Sequence, residues 1–476
     1  MSPKIQEKIF RLALLPLTAA VLVATGCTSS MTTATTQSSA SSGPAFVVGT
    51  DAPLAAVSSF SVQVQSVDAI PQGGGTPVSL MSGTPTVDFA RFNGLQTLLD
   101  MNDVPAGTYT GVTITLASTG TIGYLNTGSG APTIATMAAT ISPASTTITL
   151  SKPLVVGGTG STPVGLRVDL DLAKSITVNG SGQITGAVTP TFNVNAVGNG
   201  DNGGYIDEFI AGVVSVGSQS FVVQGPHGEN FTIDVNGQTE WDGGATLGAL
   251  NTSSIVEVSG KMDPADQTLD ADEVAILSDK GFYATGQITY VTPASGAATS
   301  FDLYVRGLEP TNTGLSLGQI AQVNLTGNEN YYIYWMHNPF TNFLFNSSAL
   351  LAGQDVAVGG PASGAANASA VSVTRIHLRQ WGFNGTVVKG SQSSATASFQ
   401  MQVTGFAGQL IPETVTVFLA NNSDFRYGLG KFSDVTDGAS IRVVGLLLKN
   451  PTNGQAVLLA RHVDGVNFTD FSTFAF

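Results

Sequence analysis

Strand-like alternation is the feature that most restricts the fold of this 476-residue chain. From residue 45 onward, short runs in which apolar and polar residues alternate are separated by Gly, Asn, Asp and Pro. A period of two places successive side chains on opposite faces of a strand, and the separating residues favour turns. Almost no segment repeats its apolar residues at helical spacing. The sequence therefore predicts an all-β protein with many short strands.

The first folded unit is predicted to span residues 45–197. Alternating apolar residues mark strands at Phe60 to Val67, Val112 to Leu116 and Leu166 to Leu172. Their apolar faces must be covered, and two sheets packed face to face achieve this. We therefore predict a two-sheet β-sandwich. One short helix is predicted at Gly94 to Met101, where three leucines fall at helical spacing.

After a Gly-rich linker over residues 198–209, the chain repeats one order of strands three times. Each copy has an opening Gly, a strand that begins with Phe, a strand with β-branched residues, a strand that ends in Gly and a last strand that begins with Ala. The predicted repeats occupy residues 210–279, 280–380 and 381–476. Closing five or six short strands into a barrel removes exposed sheet edges. We therefore predict three small β-barrel-like repeats.

Two families of unknown function have similar patterns. The segments Thr50 to Pro53, Leu98 to Leu99, Val104 to Tyr109 and Val168 to Asp171 together resemble the domain of unknown function numbered 4382, which is found on bacterial and archaeal lipoproteins. This resemblance covers residues 45–197 and implies a transthyretin-like or immunoglobulin-like β-sandwich. The repeats resemble the domain of unknown function numbered 5666, most strongly in residues 210–278. Neither resemblance implies a chemical activity.

The N-terminus has the features of an export signal. Three basic residues precede an uncharged apolar run from Leu12 to Val23, which is shorter than the roughly 20 residues of a membrane-spanning helix. We predict a signal peptide over residues 1–26. The segment Ala24 to Cys27 resembles the lipobox of bacterial lipoproteins, in which the cysteine receives diacylglycerol and becomes the new N-terminus.

Cys27 is the only cysteine of the chain, and a single cysteine in an exported protein needs an explanation other than an internal disulfide. We predict that Cys27 is lipidated, with palmitate-type acyl chains, and that residues 27–44 form a Ser- and Thr-rich tether. An ordinary signal peptide followed by an incidental thiol is the alternative. The lipid predicts attachment to the cell envelope, with the outer membrane as the expected location, on its periplasmic or surface face.

The charge balance restricts the partners. The formal net charge is -14, and removal of the predicted signal peptide leaves 15 basic and 31 acidic residues. Such a chain repels phosphate backbones, which argues against a nucleic-acid partner. The expected partners are the membrane, through the N-terminal lipid, and an envelope protein or glycan.

No motif specifies a reaction. The four histidines have no metal-binding spacing: His227, His337, His377 and His462. A nucleophile elbow, a phosphate-binding loop and a dinucleotide fingerprint are all lacking from the sequence. Asp169 and Asp171 should leave one face of a strand about 7 Å apart at the backbone, where the simplest interpretation is an outward polar face. We therefore expect no catalytic residues; a glycosidase-like hydrolase of extracellular polymers that uses such carboxylates is the alternative.

An acidic segment suggests one cofactor, a calcium ion. Five acidic residues lie close together in the first repeat: Asp263, Asp266, Asp270, Asp272 and Glu273. Their oxygens are the ligands that Ca²⁺ prefers. The spacing is not that of an EF-hand, and Asp is also common in turns. Ordinary turn chemistry is therefore the alternative.

The segment from Tyr331 to Phe345 is the richest in aromatic residues. In an extended strand Tyr331 and Ile333 would face the barrel interior, while Tyr332 and Tyr334 would face outward. We hypothesise that Tyr332 and Tyr334 form a ligand-facing patch with Phe340 and Phe343, since aromatic rings often supply binding energy. Packing between modules is the alternative. The sequence as a whole predicts an envelope lipoprotein whose β-modules bind or scaffold a partner without catalysis.

Overall fold

The computed structural model describes residues 42–465, except for residues 53–56, 93–96, 127–130, 159–160, 162–163, 181–182, 199–204, 225–229, 243–244, 264–267, 280, 310–313, 334–342, 362–369, 405–409, 412–413 and 427. The prediction of an all-β fold is confirmed. The helical elements that lie wholly in the described residues are one α-turn, α1 (Leu172–Ser175), and four 3₁₀ turns, at Phe89–Arg91, Leu247–Ala249, Ser347–Ala349 and Phe432–Asp434. No helix in these residues is long and apolar enough to span a membrane.

The N-terminal module contains twelve strands. These are β1 (Ser42–Ala52), β2 (Val57–Pro71), β3 (Val78–Ser79), β4 (Thr86–Asp88), β5 (Thr97–Pro105), β6 (Gly107–Asn126), β7 (Thr133–Ile141), β8 (Ser145–Val156), β9 (Val164–Asp171), β10 (Ile176–Val178), β11 (Ile184–Val188) and β12 (Phe192–Gly198). One sheet has the order β12-β9-β1-β5, and the other has the order β10-β11-β7-β6-β2-β3, with β4 on β2 and β8 on β6. A single apolar core that includes Phe60, Val112 and Leu166 joins them. The two-sheet sandwich is thus confirmed.

The predicted helix at Gly94 to Met101 is wrong. Residues 97–105 form β5, which pairs antiparallel with β1. Pairing with a neighbouring strand satisfies the backbone groups of this segment and buries Leu99 in the sandwich core. Tertiary pairing therefore overrides the local leucine spacing, as it often does for short segments.

The remaining strands form three modules. The first barrel contains β13 (Tyr205–Val216), β14 (Ser220–Gln224), β15 (Asn230–Asp234), β16 (Glu240–Trp241), β17 (Ser254–Asp263) and β18 (Thr268–Asp279). The second contains β19 (Gly281–Thr292), β20 (Ser300–Glu309), β21 (Ile320–Asn324), β22 (Asn330–Ile333), β23 (Asp355–Pro361), β24 (Ala370–Ser372) and β25 (Arg375–Arg379). The third contains β26 (Trp381–Val387), β27 (Ser398–Thr404), β28 (Thr414–Arg426), β29 (Ser440–Lys449) and β30 (Ala456–Asp464).

All three modules have one topology. The third is a closed barrel of order β26-β27-β28-β30-β29, in which β28 and β30 are parallel. The first closes in the same way through the parallel pair β15 and β18. In the second, β24 and β25 are successive parts of the last strand, and they pair in parallel with β21 and β22. The predicted barrel-like repeats are thus confirmed, with the first and third closed and the second a seven-stranded sheet of the same strand order. That order is the one found in five-stranded Greek-key barrels of the OB class.

The described part of the chain lies in one compact unit. In the second barrel, some strands are buried on the face toward the barrel interior and also on the outward face. Val356 and Leu378 face its interior, while Asp355, Arg379 and Gln287 face outward and are also buried. A large apolar core joins the second barrel to the third, with Leu446 and Leu448 of β29 among its members. The outward side of β19, β23 and β25 is therefore an interface rather than a solvated surface.

Candidate functional site

Five charged side chains from three modules meet on the outer wall of the second barrel. We call them the junction cluster: Arg91, Glu208, Glu257, Asp355 and Arg379. Arg91 ends a 3₁₀ turn of the sandwich, Glu208 and Glu257 lie on β13 and β17 of the first barrel, and Asp355 and Arg379 are register partners on β23 and β25. All except Arg91 have side chains less than a tenth exposed.

Arg379 is the centre of the junction cluster. Its Nε and Nη2 atoms donate to the two carboxylate oxygens of Glu257, at 2.7 and 2.8 Å. Its Nη1 donates to Oδ1 of Asp355 at 2.6 Å, and its Nη2 lies 2.8 Å from Oε2 of Glu208. Glu208 also pairs with Arg91. One guanidinium therefore links the second barrel to the first, and Glu208 extends the link to the sandwich.

Three carboxyl groups share two guanidinium groups in this cluster, so their pKa values separate. Burial alone would raise the pKa of Glu208, but the charges of Arg379 and Arg91 outweigh it and lower the pKa to about 2. Burial raises the pKa of Asp355 to about 7, because Arg379 offsets only part of the desolvation. Oδ2 of Asp355 has no hydrogen-bond partner among the described residues. Burial raises the pKa of Glu257 as well, so Asp355 and Glu257 both retain a proton more readily than Glu208 does.

The chemistry of the junction cluster is that of a connector. Its carboxylates are occupied by guanidinium groups, and the burial of four of its members denies a substrate access to them. Removing one partner of a buried ion pair leaves an uncompensated charge, which is strongly unfavourable. The cluster can therefore hold the modules in one arrangement, but its geometry offers no exposed nucleophile or base.

A buried His and Asp pair forms a second link between the first and second barrels. Nδ1 of His377 lies 2.6 Å from Oδ2 of Asp242, and both side chains are almost fully buried. The ring of Tyr332 stacks on His377, with ring centroids 4.7 Å apart and an angle of 26° between the planes. The pair resembles part of a catalytic triad in composition, and the ring of Tyr332 covers the His377 ring.

The third barrel contains a further buried polar group. Nδ1 of His462 lies 2.9 Å from Oδ1 of Asp464. Nε of the fully buried Arg442 donates to Oδ1 of Asn384 at 3.1 Å. Burial would raise the pKa of Asp464, but the charges of His462, Arg426 and Arg442 outweigh it and lower the pKa. These contacts again stabilise a module from within.

The described aromatic side chains of the aromatic segment, which lie in residues 331–333 and 343–345, pack against other parts of the protein. Tyr331 and Ile333 pack against the core of the second barrel, as the alternation predicts. Tyr332, half-buried, covers His377, and Phe343 lies against Phe418 of the third barrel with ring centroids 6.5 Å apart. Tyr334 and Phe340 lie outside the described residues. The ligand-facing patch stays a prediction.

The acidic segment lies on the hairpin of β17 and β18. Asp270 and Asp272 are exposed and Glu273 is buried, while Asp263 is intermediate and Asp266 lies outside the described residues. Burial and the neighbouring charges of Asp234, Asp263 and Asp272 raise the pKa of Asp270. Among the described residues no group of three or more His, Cys, Asp or Glu side chains could hold a metal ion. The calcium site also stays a prediction.

The expected outward face of Asp169 and Asp171 is wrong. Both residues are buried, because the outer side of β9 is covered as well as its core side. Asp171 caps α1 by accepting from the backbone N–H of Lys174, and its carboxylate also pairs with the Lys174 side chain at 2.9 Å. Burial raises the pKa of Asp169, whose Oδ2 accepts from Asn193 at 3.3 Å. The pair is built into the sandwich.

The second and third strands of each barrel carry amide groups on their outward face, which in the first and second barrels also carries a carboxyl group, that of Asp234 or Asp302. In the third barrel Gln400 lies opposite Thr416, and Gln402 lies opposite Thr414. The first barrel has Gln224 opposite Asn230 at the same place. In the second barrel the corresponding face carries Gln322 and Asn324 on β21. The glutamines, the asparagines and Thr414 are exposed, so each barrel shows amide groups, with hydroxyl groups beside them in the third.

Sequence reasoning missed the junction cluster, although a signal was present. Glu257, Arg379 and Asp355 each stand inside or beside an apolar strand, as in the sequence Ser254 to Gly260. When both faces of a strand are buried, a charged side chain on that strand needs a buried partner of opposite charge. The sequence does not show which partner, because the paired residues are up to 171 positions apart, as Glu208 and Arg379 are.

Comparisons with known proteins agree with the two resemblances. Residues 47–185 match the family model of a domain of unknown function, DUF4382, and residues 211–275 match that of a second domain of unknown function, DUF5666. The first match lies within the sandwich, and the second covers most of the first barrel. No curated protein matches the chain. Neither family description includes an activity.

Proposed function

We propose that this protein is a lipid-anchored envelope protein that holds three similar barrels in a fixed arrangement and binds an envelope glycan through their outward faces, without catalysis. The observation that carries the proposal is the recurrence of exposed amide side chains on the outward face of the second and third strands in each barrel. Gln400 and Gln402 form the clearest example, since both are exposed on β27.

The amide groups of these faces suit a polar ligand that carries no negative charge. Amide groups both donate and accept hydrogen bonds, and hydroxyl groups do the same, which matches the hydroxyl and acetamido groups of glycans. The described faces carry no lysine or arginine, which disfavours a phosphate backbone. In OB-class barrels generally, this face and its neighbouring loops bind oligosaccharides or oligonucleotides, a fold-level analogy that adds modest support.

A fixed arrangement of barrels would strengthen weak binding. A single shallow face without an apolar pocket binds weakly, but three linked faces act together when the polymer can span them. The junction cluster and the shared core of the second and third barrels supply that rigidity. A repetitive polymer is therefore the partner that this architecture suits best.

The test is a double substitution, Gln400→Ala with Gln402→Ala, in the lipidated protein in detergent. We expect co-sedimentation with purified peptidoglycan, or retention on immobilised envelope polysaccharide, to fall several-fold. Surface substitutions of this kind change stability little, so the melting temperature should stay the same.

The matched control is Gln63→Ala with Gln65→Ala on β2 of the sandwich, where both glutamines are exposed on a strand. This control should bind as the unchanged protein does. Equal binding by both double variants, or no retention of the unchanged protein on either glycan, would refute the proposal.

A further inference from the structure

Three side chains form a line across neighbouring strands of the second barrel. Tyr290 of β19 is the register partner of Asp302 on β20, and Asp302 is in turn the register partner of Gln322 on β21. Register partners on neighbouring strands carry their side chains on the same face of the sheet. We call these three residues the cross-strand row.

The cross-strand row lies on the outward face of the barrel. Leu303 and Ala321, which follow Asp302 and precede Gln322, belong to the core of the second barrel. Because side chains alternate along a strand, the residues of the row belong to the opposite face. Tyr290 is 41% exposed and Gln322 is exposed as well, while Asp302 between them is half-buried. A ligand can therefore reach all three side chains from one side.

Tyr290 and Asp302 both have properties that a ligand site requires. Tyr290 has the most exposed ring among the aromatic residues that the structure describes. The carboxyl group of Asp302 makes no hydrogen bond or ion pair with the described residues, and burial raises its pKa. A partly buried carboxylate that no protein group satisfies is unfavourable. A ligand that donates hydrogen bonds at this point would remove that cost.

The equivalent pairs of the other two barrels carry no carboxyl group. Val222 lies opposite Thr232 in the first barrel, and Gln400 lies opposite Thr416 in the third. Like Asp302, both Val222 and Gln400 directly follow the buried phenylalanine of their strand. The strand order of these barrels therefore does not require the carboxyl group, and the combination in the row is particular to the second barrel.

We infer that the cross-strand row is a sugar-binding subsite for a glycan without anionic groups; this inference rests on the proposed glycan binding and narrows its ligand class. The apolar face of a sugar ring stacks on Tyr290, which presents a large amphipathic surface. Two neighbouring hydroxyl groups of the sugar donate to the two carboxylate oxygens of Asp302, and Gln322 exchanges hydrogen bonds with a further hydroxyl group.

The size and charge of the row agree with this ligand class. Neighbouring strands lie about 4.8 Å apart, so the three residues span about 10 Å and can contact adjacent sugar residues of one chain. A uronate or phosphate group would be repelled by the carboxylate of Asp302, because the row contains no basic residue to offset that charge.

The test is retention of the lipidated protein, in detergent, on an array of immobilised oligosaccharides. The array contains neutral tetramers of hexoses and of N-acetylhexosamines, beside tetramers that carry uronate or phosphate groups. We expect Tyr290→Ser and Gln322→Ala each to weaken retention on the neutral tetramers several-fold, at an unchanged melting temperature. Leu317→Ala is the matched control, because Leu317 is 62% exposed in the loop before β21, outside the row.

Asp302→Asn tests the charge of the row separately from its shape. We expect this variant to lose about tenfold in affinity for the neutral tetramers, because hydrogen bonds to a charged acceptor are the stronger ones. It should also gain retention on the uronate and phosphate tetramers, since the repelling charge is gone. A residue with only a structural role would not change this selectivity.

Retention of Tyr290→Ser and Gln322→Ala equal to that of the control would overturn the inference. Retention of the unchanged protein on the anionic tetramers that matches or exceeds retention on the neutral ones would overturn it too. The double variant Gln400→Ala with Gln402→Ala separates these outcomes from failure of the proposed function: if it loses retention while the row variants keep theirs, glycan binding stands without the row. If no glycan of the array retains the unchanged protein, the proposed function and the inference both fail.

Discussion

At the scale of single residues, Asp355 is a buried side chain whose ionisation should make stability depend on pH. It is buried, it contacts Arg379 with one oxygen, and its pKa is raised from 3.8 to about 7 by burial. Between these two pH values the unfolded chain has released the proton while the folded chain keeps it. Stability therefore falls as the pH rises through this window, and the contribution is fully present only below about pH 4.

Replacing Asp355 with Asn should remove this slope. The free energy of unfolding of Asp355→Asn, relative to the unchanged protein, should increase by up to about 1.4 kcal/mol for each pH unit between pH 4 and pH 7. Asn keeps an oxygen that can accept from Arg379, so the main change is the lost ionisation. Urea denaturation followed by tryptophan fluorescence at a series of pH values measures the effect.

The pH limits provide the internal control for Asp355→Asn. Below pH 4 the carboxyl group is protonated in both states of the chain, so the difference between the two proteins there reports contacts alone. Stability curves that run parallel from pH 4 to pH 8 would show that Asp355 is not the proton-retaining group.

At the scale of elements, close packing between strands explains why certain positions of the repeats are glycine. In the first and third barrels, Gly260 and Gly445 stand at irregularities of the register between the fourth and last strands, opposite Ala271 and Ala460. An added Cβ would lie 2.1 Å from the Asp270 oxygen in one case and 2.0 Å from the Leu459 oxygen in the other. Strands that cross this closely in a small barrel leave no space for a side chain.

The opening glycines differ from one another, and this difference gives a prediction. At Gly286 an added Cβ would lie 1.8 Å from the backbone oxygen of Tyr304, whereas at Gly212 no atom lies within 4 Å. We expect Gly286→Ala to lower the stability by about 1 to 3 kcal/mol or more through backbone displacement. Gly212→Ala should be neutral or stabilising by up to about 1 kcal/mol, because alanine restricts the unfolded chain.

Thermal melting of the two alanine variants checks this prediction. Gly212→Ala is the matched control, since it makes the same chemical change at the equivalent place in another barrel. Similar melting temperatures for both variants would show that the crossing at Gly286 can relax.

At the scale of the whole molecule, the buried ion pairs of Arg379 should decide whether the modules unfold together. Arg379→Ala removes the shared partner of Glu208, Glu257 and Asp355, and it leaves buried carboxylates without compensation. Loss of one member of a buried pair costs about 3 to 5 kcal/mol. We expect a loss of that size, together with separation of the single unfolding transition into more than one.

Calorimetry of Arg379→Ala measures both effects, and Lys389→Ala is the control. Lys389 is exposed in the third barrel, so its replacement should change the stability by no more than about 0.5 kcal/mol. A small loss and an undivided transition for Arg379→Ala would show that apolar packing, not the junction cluster, joins the modules.

The sequence alone determined the fold class, the two-sheet sandwich and the three barrels. Period-two alternation fixes which face of a strand is buried, and such local patterns remain visible wherever one face meets a core. The alternation also placed Tyr331 and Ile333 on one face of the strand, and both pack against the core of the second barrel. The two family resemblances were readable for the same reason, because they rest on strand order and turns.

Only the tertiary structure decided what covers the other face. Asp169 was expected on an outward surface and is buried, and Leu98 and Leu99 lie in a strand rather than in a helix. Arg379 meets Glu208 across 171 positions of sequence, and Tyr332 covers His377 across 45. A local pattern shows that a face is apolar or charged, but contact between modules depends on how whole barrels pack. The packing of two barrels depends on residues from many strands, so the spacing of residues within one strand does not predict it.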